Sequence, residues 1–225
     1  MIVFQSIIIF SLAFVLIFVI NELIYRIFGV TAEYTRKSVH VFSGLLTLLL
    51  PFFFENHFPV LILTVEFVLM LIISIKFNFF KCINNVSRKT YGSFLFPVSV
   101  YLTFFFSIEF EDNALFYIPI LILSLSDPLA AISGKISKRN NNIVKNDAKT
   151  VTGSLFFGFS AFIISLIMIN YFYEIDLVYI LILSLIISIL SAIVERKSNM
   201  GTDNLTIPVV VLLILVVFKF IDIVN

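Results

Sequence analysis

The stretch LILSLSDPLAAISGKISKR, Leu121 to Arg139, decides the reading of this chain. Its first half is apolar enough to enter a bilayer. Asp127 and Pro128 then fall inside the same helical pattern, about two turns before the first basic residue, Lys135. A carboxylate at that depth costs about 2.5–3.5 kcal/mol on insertion scales, and an internal proline removes a backbone hydrogen bond. A chain that keeps both has a use for a charge just below the membrane surface.

The surrounding sequence is built for a membrane. The chain has 225 residues, is 60% hydrophobic and has a mean hydropathy of +1.12, far from the balance of a water-soluble domain. An apolar run of about 20 residues spans a bilayer. Such runs are expected over 2–20, 38–54, 58–75, 91–107, 116–134, 153–170, 177–194 and 205–222. The expectation is an all-α, polytopic integral membrane protein with about eight transmembrane helices, residues 1–225 forming one domain. The first basic residue is Arg26, so the sequence lacks the positive n-region of a cleaved signal peptide. With Cys82 as its one cysteine, the chain cannot form an internal disulfide.

Basic residues fall on alternate gaps between these runs. Arg26, Arg36 and Lys37 follow the first; Lys76, Lys81, Arg88 and Lys89 the third; Lys135 to Lys149 the fifth; Arg196 and Lys197 the seventh. Of 15 Lys and Arg, only Lys219 lies near the other side, where Glu55, Glu109, Glu111, Asp112, Glu174 and Asp176 gather. The positive-inside rule makes the basic loops, Cys82 among them, cytoplasmic and puts both termini outside. Tyrosines near the span ends serve as interface anchors in a chain without Trp. Asn140 to Asn146, within the longest loop, reads as a solvated tether.

Four polar clusters share that basic side: RKSVHVFSG from Arg36, RKTYGSFLFP from Arg88, SDPLAAISGK with KTVTGS, and VERKSNMGTDNLTIP from Val194. Together they hold the parts of a phosphoryl- or nucleotidyl-transfer site. Asp127, Glu195 and Asp203 offer carboxylates of the kind that hold Mg²⁺ together with substrate phosphates. Arg36, Lys37, Lys135 and Lys149 offer cations. Gly153, Ser154, Gly201 and Thr202 stand at helix starts, where N–H groups receive anions. Other chemistries are excluded. Leu129 and Ile136 break the P-loop pattern around Gly134 and Lys135. Two histidines and one cysteine give no zinc site. Basic loops at a membrane do not make a nucleic-acid surface.

Blander roles compete at several positions. Pro128 could only bend its helix, Asp203 and Asn204 could only cap one, and His40 could be a packed interfacial histidine. Arg36 and Lys37 could merely satisfy the charge rule. Glu66 stands alone in the third run with no motif. Ser184, Ser188 and Ala192 have the spacing of a close helix contact.

The order of RKSVHVFSG, YGSFLFP, SDPLAAISGK, KTVTGS and the run from Glu195 to Pro208 resembles the polyprenol kinase group. That group comprises phytol kinases, the dolichol kinase core and CTP-dependent diacylglycerol kinases, and is distantly related to phosphatidate cytidylyltransferase. The resemblance covers Arg36 to Pro208, with Lys149-Thr150 standing where Lys-Ser is common. It implies transfer of the terminal phosphate of CTP, or a related nucleotide, to a membrane lipid alcohol with Mg²⁺. Asp127 and Asp203, with Glu195 as a further ligand, are then expected to hold the metal. Lys149 and Lys135 would neutralise phosphates with Arg36 and Lys37. Asn204, Ser154 and Gly153 would position them, and His40 would act on the alcohol or a phosphate. Two alternatives are a cytidylyltransferase, which attacks a different phosphorus, and an ion-coupled transporter, which would show midplane polar groups and repeats.

Overall fold

A computed structural model describes residues 2–85, 90–140 and 149–221, and among them every regular element is helical. Arg88 and Lys89, and all but the first residue of the expected tether, lie outside the described residues. Seven of the expected runs are helices long and apolar enough to cross a membrane. They are α1 (Ile2–Phe28), α4 (Phe58–Phe77), α6 (Gly92–Glu109), the rod Ala114–Ser137, α9 (Val151–Phe172), α10 (Leu177–Lys197) and α11 (Asp203–Phe220). Helix α1 overshoots its expected end because Glu22 and Arg26 pair one turn apart at 2.6 Å and carry the helix past the apolar run.

The eighth run, 38–54, is not one long helix. It is α2 (Ala32–Thr47) followed, after a turn at Leu48 and Leu49, by the single turn α3 (Leu50–Phe53). The break coincides with Pro51, which has no N–H to continue the ladder. Helix α2 also begins earlier than expected, is 16 residues long and carries Glu33, Arg36, Lys37 and His40, so it is too short and too polar to cross a membrane by itself. The pair still retraces α1, because Phe53 and Phe54 meet Phe10 at ring distances of 5.4 and 5.6 Å. From Phe28 back to Phe10 is 28 − 10 = 18 residues, roughly 27 Å of helix and close to the bilayer core.

The rod is the axis of the bundle. It consists of α7 (Ala114–Leu121), a π turn (Ile122–Ser126) and α8 (Asp127–Asn140). Of its most apolar window 67% is buried, against 22–44% for the other six. The outer helices show the opposite pattern, with Ile9, Leu12 and Leu16 of α1 exposed as a lipid-facing surface. Helix α10 packs most extensively on α9. Ser184 and Ser188 are buried, in keeping with a small-residue contact.

At the rim away from Asp127, one latch ties three chain segments. Asp112 caps α7 by accepting the Ala114 N–H at 2.9 Å, and it accepts the Tyr173 hydroxyl at 2.9 Å. Lys219 reaches Asp112 at 3.5 Å and the Phe110 carbonyl at 2.9 Å. Burial and the Asp112 charge hold the Tyr173 hydroxyl well above its usual range, so it remains a donor. The lone lysine on the acidic side therefore has a structural partner.

Candidate active site

Three close approaches assemble the site. The first is α2 against the π turn. A Cβ on Gly44 would lie 1.9 Å from the Ser124 Oγ, so only glycine lets the two backbones meet. That contact puts Lys37 beside Asp127, which is 6% exposed, and the two form a short hydrogen-bonded ion pair. One turn deeper, His40 Nε2 lies 3.2 Å from the Leu123 carbonyl. A π turn moves each backbone bond from the fourth to the fifth residue on. The fifth residue after Leu123 is Pro128, which has no N–H. The imidazole supplies the missing donor, and since a carbonyl only accepts, Nε2 carries a proton.

The second approach is α8 against the start of α9. A Cβ on Gly153 would lie 2.8 Å from the Ala130 carbonyl. Thr150 caps α9, its Oγ1 accepting the Gly153 N–H at 3.0 Å and its carbonyl the Ser154 N–H at 3.1 Å. This fixes Lys149, whose ammonium reaches Glu195 Oε1 and Asp203 Oδ2 at 2.8 Å each and the Glu195 carbonyl at 2.5 Å. Three acceptors meet the three ammonium protons. Ser154 donates to Glu195 Oε2 at 3.2 Å. Burial pulls the Lys149 ammonium toward neutrality, but Asp203 and Glu195 reverse that and hold its pKa above the usual lysine value.

The third joins the starts of α6 and α11. Gly201 has φ +81°, and a Cβ there would lie 2.4 Å from Thr90 Oγ1 and 2.6 Å from the Gly92 nitrogen. Across this contact the Tyr91 N–H donates to the Met200 carbonyl at 2.8 Å, and Asn204 Nδ2 to the Gly92 carbonyl at 2.7 Å. Arg36 reaches over from α2 and donates to Thr90 Oγ1 at 2.9 Å.

Most of the expected residues thus converge. Arg36, Lys37 and His40 lie along α2, with Asp127, Lys149, Ser154, Glu195, Asp203 and Asn204 around them. His40 is within electrostatic reach of Asp127, Lys37 and Asp203. Lys135 does not join this network; it pairs with Glu33 at 2.7 Å and lies 4.1 Å over the Tyr34 ring. Gly153 owes its place to packing against Ala130. Three carboxylates form no ready-made cage: Lys37 takes Asp127, and the Lys149 ammonium sits between Glu195 and Asp203. Among the described residues no three of the His, Cys, Asp and Glu side chains stand close enough to hold an ion. A metal here would use single carboxylates and phosphate oxygens, a mode Mg²⁺ accepts.

Thr90, Thr150 and Ser43 are not distinguished by the motifs that contain them: the first two act through partners the motif does not show, and Ser43 has no hydrogen-bond partner among the described residues. Ser43 lines a narrow, partly open apolar slot, with Phe18, Phe67, Leu71 and Phe96 as walls and Arg36, His40 and Asn204 among its polar lining. Cys82 lies in the single turn α5 (Lys81–Asn84), 0% exposed. Its N–H donates to Glu22 Oε2 at 2.9 Å and its carbonyl accepts from Thr35 at 2.7 Å.

A protein of known activity resembles the chain over most of its length. Phytol kinase from Synechocystis sp. is 28% identical over 189 residues, which cover 83% of this chain and 80% of that one. No family model matches the chain, and no solved structure does.

Proposed function

We propose that this relative of the polyprenol and phytol kinases transfers the terminal phosphate of a nucleotide, CTP in our reading, to a membrane lipid alcohol. The observation that carries the reading is the junction of two unlike environments. An apolar slot shares Arg36, His40 and Asn204 with a cluster of three cations and three carboxylates: Arg36, Lys37 and Lys149 with Asp127, Glu195 and Asp203. A lipid and a water-soluble phosphate donor need such a junction to react at one depth. The named kinase relative favours phosphoryl over nucleotidyl transfer.

In this mechanism the alcohol oxygen attacks the terminal phosphorus, the bond to the bridging oxygen breaks, and CDP leaves. The work is positioning and charge stabilisation. Lys37 and Lys149 turn toward phosphate oxygens, and Arg36 holds the nucleotide side of the slot. The neutral His40 ring, with its Nε2 proton committed to Leu123, offers Nδ1 to the alcohol proton. Asn204 and Ser154 orient the phosphates beside their present partners. Because its cations and carboxylates balance, the cluster favours a polyphosphate that arrives with a cation of its own. Asp127 and Asp203 are the residues we assign to Mg²⁺, which supplies charge neutralisation at the transferred phosphate. We assign this rim to the cytoplasmic face, where the nucleotide is, with both termini outside.

The test gives purified protein CTP labelled at either the α- or the γ-phosphorus, together with lipid alcohols and phosphatidate. Label from the γ position should appear in lipid phosphate. Transfer of α-label with release of pyrophosphate would instead identify a cytidylyltransferase.

A further inference from the structure

Among the described residues, the slot has one fully buried side-chain oxygen without a hydrogen-bond partner. Ser43 is 1% exposed and its Oγ has no hydrogen-bond partner. A serine inside a helix ordinarily bonds back to the carbonyl one turn earlier. Ser6, Ser11, Ser160, Ser191 and Ser198 all do so here. Ser43 does not, and neither do Ser124, Ser126, Ser165 and Ser184; of these five only Ser43 lines the slot.

Depth gives this hydroxyl a meaning. Arg36, His40 and Ser43 lie on one stripe of α2 at steps of four and three residues, all facing the slot. Lys37 and His40 are level with Asp127 and Leu123 of the rod, so the reacting hydroxyl belongs near His40. Ser43 lies three residues deeper, about 4.5 Å along the helix axis. At that distance a simple long-chain or isoprenoid alcohol presents only hydrocarbon and leaves the serine unpaired. An alcohol with an ester a few bonds from its hydroxyl presents a carbonyl oxygen there.

We propose that this slot is the acceptor site and that Ser43 selects a lipid alcohol bearing a second oxygen, an acylglycerol ester carbonyl, below the reacting hydroxyl. The inference rests on the kinase reading and narrows it to a substrate class. Ser43 is a specificity-determining residue in this scheme and takes no part in the transfer itself. The aromatic walls from Phe18, Phe67 and Phe96 then receive the chain beyond the ester.

Paired substrates test it. Phosphorylation of a 1,2-diacylglycerol and of phytol is measured as kcat/KM in mixed micelles for the wild type, Ser43→Ala and Ser165→Ala. Ser165 is also buried and unpaired but lies on α9, outside the slot lining. The wild type should favour the diacylglycerol. Ser43→Ala should lose roughly three- to tenfold on it, the size of one neutral hydrogen bond, and leave phytol unchanged. Ser165→Ala should leave the ratio of the two as in the wild type. Equal or better use of phytol by the wild type, with Ser43→Ala moving neither substrate, overturns the ester assignment and leaves the kinase standing. No γ-label in either lipid overturns both.

Discussion

His40 and Leu123 are joined across two helices by a bond that Pro128 makes necessary. The ring nitrogen at 3.2 Å replaces the backbone N–H that proline lacks five residues after the carbonyl. The motif's proline thus acts on the histidine through a freed acceptor. His40→Ala should lower kcat by about 100-fold or more, the usual range for a positioned proton acceptor. Pro128→Ala restores the N–H and competes for the Leu123 carbonyl. It should lower kcat with little change in KM for the nucleotide, and steady-state kinetics on both substrates will show the split.

Lys149 fastens the starts of α9 and α11 to the end of α10 through buried acids. Lys149→Ala leaves Glu195, 4% exposed, without its cation. Breaking such a pair costs about 3–5 kcal/mol, and with the lysine side chain 24% exposed the lower end is expected. Thermal unfolding in detergent should fall accordingly, and activity should be lost with it.

Asp127→Asn tests the metal site, and because it leaves Lys37, 28% exposed, without its anion, thermal unfolding is measured beside turnover. The amide keeps the size of the carboxylate and removes a charge that the bilayer penalises, so insertion should be unimpaired. Turnover should drop by several orders of magnitude, and raised Mg²⁺ should not restore it. Normal turnover at low Mg²⁺ would reduce Asp127 to a structural partner of Lys37.

Gly44→Ala forces a methyl group into Ser124 and should destabilise the protein by about 1–3 kcal/mol. The double variant Gly44→Ala, Ser124→Gly removes the opposing side chain. It should recover part of the loss, a non-additivity read by unfolding all four members of the cycle.

Cys82 should resist an impermeant maleimide from either side of the membrane. It is 0% exposed, and burial, with Glu22 beside it, pushes its thiol up to about 12, so almost no thiolate exists at neutral pH. Alkylation should appear only on unfolding. Orientation is then read in a Cys82→Ala background with the exposed positions Lys197→Cys and Glu174→Cys. On intact cells only the second should be labelled.

Much of the fold was legible because lipid imposes length and apolarity on each span, and these are properties of contiguous sequence. The α2–α3 break was less so, since RKSVH reads as a span entry until its partners are known. At the site, the motifs that carry Asp127, Lys149, Asp203 and Asn204 meet in space, as their shared side of the chain predicts. Hidden from sequence was how they pair. Lys135 goes to Glu33, the α9 N–H groups go to Thr150, and Lys149 takes two acids at once. Such pairings depend on helix rotation and depth, which no single segment encodes. The unsatisfied Ser43 could be found only after its neighbours had failed to satisfy it.

The π turn sets a rotational phase. An α-helix turns about 100° per residue, and a π turn accommodates one residue more than the α-helical turn it replaces. Everything after Ser126 is therefore indexed by that single surplus residue. Removing one residue between Ile122 and Ser126 would return the rod to an ordinary helix. Asp127 would swing by about a quarter turn away from Lys37, and α8 would no longer present Ala130 to Gly153. Hydropathy would scarcely change and the rod would still cross. A membrane segment can thus keep its length and composition, insert correctly, and lose its chemistry to a one-residue slip in angle.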